Sequence, residues 1–80
     1  MGDARAATLA LLGQRPAGAT ICPSEVARAI AVGGAWRDSM PAVHSAMDDL
    51  VAGGVITLSW KAQHLSKRSG PYRVSLRTNG

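Results

Sequence analysis

Phenylalanine is absent from these 80 residues, and only Trp36, Trp60 and Tyr72 supply large aromatic rings. The bulky groups available to a core are therefore Leu, Ile, Val and Met with those three, and much of the 46% hydrophobic content is alanine. A single cysteine, Cys22, excludes an internal disulfide. No apolar run approaches the roughly 18–20 residues that a bilayer span needs. The N-terminal stretch opens on Asp3 and lacks a signal-peptide cleavage pattern. A cytoplasmic protein without a membrane partner is expected. Acidic residues are also missing after Asp49.

That last absence divides the chain. Residues 1–54 hold Arg5, Arg15, Arg28 and Arg37 against Asp3, Glu25, Asp38, Asp48 and Asp49, a net −1. Residues 55–80 hold Lys61, Lys67, Arg68, Arg73 and Arg77 against no acid, a net +5. A one-sided cationic segment on a folded domain points to an anionic partner, most often nucleic acid. The plain alternative is a solvated, solubilising surface.

What is present is a change of period. Over residues 39–54, Val43, Met47, Leu50 and Val51 fall on one helical stripe. Ser39 is placed to cap that helix, Pro41 falls in its first turn, and Gly53-Gly54 supply a left-handed stop. The next segment, 55–60, alternates: Ile56, Leu58 and Trp60 against Val55, Thr57 and Ser59. A second alternating segment, 71–77, sets Tyr72, Val74 and Leu76 against Arg73, Ser75 and Arg77. The two predict an antiparallel ribbon joined by a loop over 61–70, with Trp60 on the buried face.

Upstream, residues 3–14 read as a first helix, with Asp3 as cap and Ala6, Leu9, Ala10 and Leu12 near one face. Ala19-Thr20-Ile21 reads as a brief strand against the ribbon's edge. A second helix starts at Cys22-Pro23-Ser24-Glu25, faces Val26, Ala27 and Ile30 inward, and ends at Gly33-Gly34. The link over 32–38 is anchored in the core by Trp36, and Thr78-Asn79-Gly80 should fray. The order helix, strand, helix, helix, strand, strand is that of an α+β winged helix-turn-helix, one domain over 1–80 with its core in 3–77.

In such a domain the third helix and the wing face duplex DNA. The candidate contacts on the third helix are Arg37, Ser39, Ala42 and Ser45, near the end that reaches base edges. Those of the wing are Lys61, Gln63, His64, Lys67 and Arg68, suited to phosphates. Asp48 and Asp49 would repel phosphates if they faced DNA. Duplex DNA is accordingly the expected partner, in a regulatory role, with dimerisation or a further domain needed for tight binding. The alternative is a protein-interaction module on the same fold, which the acidic pair and alanine-rich surface would suit.

An enzyme is not expected. No Ser-His-acid pattern or glycine-rich phosphate loop occurs, and adjacent Asp48 and Asp49 point about 100° apart on a helix. Cys22, His44 and His64 lack metal-ligand spacing, so no metal or cofactor is expected. Cys22 beside a helix N-terminus is either a redox-sensitive thiol or a small buried hydrophobe.

The strings Thr20-Ile21-Cys22-Pro23-Ser24-Glu25-Val26-Ala27-Arg28, Trp36-Arg37, Met40-Pro41-Ala42-Val43 and Leu50-Val51-Ala52-Gly53-Gly54-Val55-Ile56 resemble a small bacterial family of domains of unknown function. The likeness covers about residues 5–77 and implies a winged-helix-like fold. It implies no activity. Members of that family tend to carry basic or small residues in the third helix, where this chain has Asp48-Asp49.

Overall fold

The structure, a computed structural model, describes residues 3–31 and 33–77. Helices α1 (Ala4–Gly13), α2 (Pro23–Ile30) and α3 (Met40–Ala52) precede strands β1 (Ile56–Trp60), β2 (Gln63–Leu65) and β3 (Arg73–Leu76). The fold is α+β in the expected order, consistent with a winged-helix-like arrangement. Val32 of the link and the expected fraying segment Thr78-Asn79-Gly80 lie outside the described residues.

Asp3 caps α1, its Oδ1 accepting from the Arg5 N–H at 3.0 Å. The buried face of α1 is not the expected one. Ala6, Leu9 and Ala10 are exposed, and Ala4, Thr8 and Leu12 face inward, flanked by Ala7 and Leu11. The reason is Thr8. Its hydroxyl donates to the Ala4 carbonyl at 2.7 Å, so it is satisfied within the helix and can be buried completely. Counting apolar side chains alone therefore rotates the stripe away from its true position.

Helix α2 starts as expected. The Glu25 carboxylate accepts the Cys22 N–H at 2.8 Å and the Arg15 guanidinium at 2.9 Å, so one side chain both caps α2 and ties it to the end of α1. The helix stops at Ile30, ahead of Gly33-Gly34, because Ala31 is already extended. Trp36 packs against the core, as expected, but does not enter it. It opens a 3₁₀ turn, Trp36–Ser39, and is only partly buried, with the Arg28 and Arg37 guanidiniums 4.7 and 4.5 Å from its ring centre.

That turn runs straight into α3. Ser39 is itself helical and its side chain caps nothing, which corrects the expected N-cap. Val43, Ala46, Met47 and Leu50 form the buried stripe. Gly54 alone makes the left-handed stop (φ 72°); Gly53 stays right-handed (φ −80°).

The sheet departs most from expectation. Residues 61–70 are not a simple loop. Lys61 (φ 52°) and Ala62 (φ 66°) make a two-residue turn, and β2 folds back on β1 with Leu58 opposite Leu65 and Trp60 opposite Gln63. The ribbon thus has three strands in the order β2-β1-β3, with β1 central. On the far side of β1, Ile56 opposes Leu76 and Leu58 opposes Val74. Ile21 extends this edge by one bridge, its N–H donating to the Val74 carbonyl at 2.8 Å and its carbonyl accepting from the Val74 N–H at 2.9 Å. Ile56, Leu58, Tyr72 and Val74 enter the core. Trp60 and Leu76, at the strand ends, stay 39% and 40% exposed, so the expected burial of Trp60 fails.

Candidate functional site

Arg68 makes a two-pronged contact with α3. Its Nε and Nη2 donate to the two carboxylate oxygens of Asp48 at 2.7 and 2.9 Å. Lys67 and Arg68 line a hollow with Asp48, Val51 and Ala52, so the chain leaving β2 runs beside the C-terminal half of α3. Lys67 and Arg68 therefore lie on the same side of the molecule as the third helix. The pair also answers the expected repulsion from Asp48: the Arg68 guanidinium holds that carboxyl below its usual range, and the carboxylate raises Arg68 further. Asp49 is exposed elsewhere on α3.

The wing candidates do not form one cluster. Lys61 sits in the turn at the tip. Gln63 and His64 belong to the edge strand β2, opposite Trp60 and Ser59, rather than to a loop. His64 lies with Thr57 and Arg77 around a separate hollow. Lys67 and Arg68 lie along α3. Among the helix-side candidates, Ala42 and Ser45 are exposed, Ser39 is half-buried, and Arg37 is stacked on Trp36. The α3 side chains that hydrogen-bond to the segment between β2 and β3 are instead His44, to Tyr72, and Asp48, to Arg68.

The His44–Tyr72 contact lies on a mainly apolar groove of about 490 Å³. Pro23 from the start of α2, Met40 and His44 from the first turns of α3, and Trp60, Pro71 and Tyr72 from the wing converge on it. His44 Nδ1 lies 2.6 Å from the Tyr72 hydroxyl. Burial pushes the Tyr72 hydroxyl up to about 12. Burial, then the Arg68 charge, lowers His44, while Asp48 pulls it the other way. Arg73 closes one end, its Nε donating to Thr20 Oγ1 at 2.9 Å and its Nη2 to the Thr20 carbonyl at 3.2 Å. Cys22 is half-buried at the rim, Sγ 3.1 Å from Ser24 Oγ.

Sequence reasoning missed this groove. Met40 and Tyr72 read as ordinary apolar positions, and Trp60 read as core. The usable signal was Trp60 itself, the last residue of an alternating run before a cationic turn, where burial by the helices gives out. Among the described residues no group of three His, Cys, Asp or Glu side chains is placed to hold a metal ion. No described helix is long and apolar enough to cross a membrane.

No curated protein matches the chain. Its residues 2–77 match the family described as "Protein of unknown function (DUF3253)", and the chain belongs to that family.

Proposed function

We propose that this domain binds duplex DNA, with the wing on the phosphate backbone and the exposed N-terminal half of α3 toward the groove. The observation that carries the reading is the Arg68–Asp48 clasp, which holds Lys67 and Arg68 of the acid-free segment beside the third helix. Charge of one sign on one side is what a polyanion selects. Lys61 and Lys67 are the backbone contacts, since Arg68 is held by Asp48 and Arg73 by Thr20.

A single domain of this kind binds at about 10⁻⁴–10⁻⁶ M in physiological salt and much more tightly at low salt. Titration into labelled duplex at low salt tests the reading. Lys61→Ala/Lys67→Ala should weaken binding to all sequences alike and flatten the log–log salt slope by about two. Absence of low-salt binding by the unmodified protein would overturn it.

One observation favours a second reading. The outer surface of α3 offers Ala42, Ser45 and Asp49, which are exposed, and no cation among them. A protein partner docked there would protect this surface in hydrogen exchange and leave duplex unbound.

A further inference from the structure

We propose that the groove at the wing's tip receives an unpaired nucleobase, stacked on Trp60, where a strand leaves the duplex held by the wing. The inference rests on the duplex reading above and names the substrate more closely. Four large apolar side chains are at least 37% exposed among the described residues: Leu9, Val55, Trp60 and Leu76. Trp60 is the aromatic one. It ends β1 at the tip, beside Lys61 of the turn, and contributes to a groove whose other members come from α2, α3 and the start of β3. At about 490 Å³ the groove falls in the ordinary range for small-molecule sites, about 300–1,000 Å³.

Charge decides which planar ligand. The groove's lining includes Arg73 and no acid, and Lys61 follows Trp60 in the turn, so the occupant has an anionic backbone attached to its flat apolar part. A base on a phosphodiester strand meets both conditions. The base must be unpaired, because bases stacked inside a duplex do not offer a face to a side chain. The outer face of α3 leads to the same place. Its Ala42, Ser45 and Asp49 bring no aromatic ring, so stacking falls to the aromatic end of the wing.

The test compares the intact protein on three labelled DNAs at low salt: a blunt duplex, the same duplex with a short unpaired tail, and the tail strand alone. The tailed duplex should bind at least about five-fold more tightly than the blunt one, as stacking of one base predicts. Trp60→Leu, which keeps an apolar group and removes the π face, should erase that preference and leave blunt-duplex binding within about two-fold. Trp60→Phe should keep part of it. Unchanged thermal melting of each variant shows that the fold is intact. Equal binding of tailed and blunt duplex, or a preference that survives Trp60→Leu, overturns the inference and leaves duplex binding standing. Binding to none of the three overturns both. Self-association that Trp60→Leu abolishes assigns the groove to a second copy of the chain and overturns the inference as well.

Discussion

Asp48 does two things at once. It neutralises Arg68, and it fixes the path of the chain between β2 and β3 against α3. If phosphates approach this side, its carboxylate is a cost, and Arg68 is withheld from them. Replacing Asp48 by Asn should therefore tighten duplex binding several-fold at low salt and steepen the salt slope by about one. The melting temperature should barely move, since exposed ion pairs contribute little to stability. Weaker binding in that variant would mean that the clasp's positioning of the wing outweighs its charge. Trp36 gives a second lesson at this scale. An aromatic ring in a link suggests a core anchor; Trp36 does pack against the core, and two guanidiniums over its ring add to that hold without full burial. Neither the Arg68–Asp48 pair, 20 residues apart, nor the Arg28 contact could be read from local pattern.

Among the elements, the hairpin from β1 to β2 escaped the sequence. Tight two-residue turns announce themselves through Asn-Gly or Asp-Gly, because both positions need positive φ. Here Lys61-Ala62 fills them (φ 52° and 66°), and the signal is lost. An alanine held left-handed costs about 1–2 kcal/mol, part of which a glycine would give back in unfolded-state entropy. Ala62→Gly should thus stabilise the domain by about 0.5–1 kcal/mol, a rise in Tm of roughly 2–8 °C. A fall in Tm would show that the turn is not left-handed in solution. The helices were easier to read. Asp3, Pro23 with Glu25, and Gly54 mark ends by local chemistry that acts wherever it occurs. The expected Ser39 cap and the Gly33-Gly34 stop failed, and the facing of α1 was wrong because Thr8 satisfies itself and so behaves as an apolar residue.

The whole molecule sets two pH limits. Tyr72 titrates at about 12 when folded, against about 10 for an unfolded chain, because burial disfavours the phenolate. A group with a raised folded value contributes stability that is intact below about pH 10 and is lost as pH climbs toward 12. His44 is lowered when folded, so the unfolded chain binds its proton first, and stability declines as pH drops below about 6.5. Both groups meet at one hydrogen bond where α3 and the sheet pack together. Tyr72 is the chain's one tyrosine, so tyrosinate absorbance reports on it alone. Alkaline titration should show a midpoint near 12 in the native protein and near 10 in denaturant. Tyr72→Phe should remove the alkaline decline. A native midpoint near 10 would place the hydroxyl in water and open the groove described here.

Period, caps and charge are local or additive properties, and the sequence alone determined whatever depends on them. These are the three helices, the order of elements, the α+β class and an acid-free C-terminal segment. Which face of α1 turns inward, how the wing folds back on β1, and that Trp60 stays in water beside His44 and Tyr72 were decided only in three dimensions. Each depends on which distant surfaces remain uncovered once the core around Met47, Leu58 and Val74 has closed. No window of neighbouring residues carries that information.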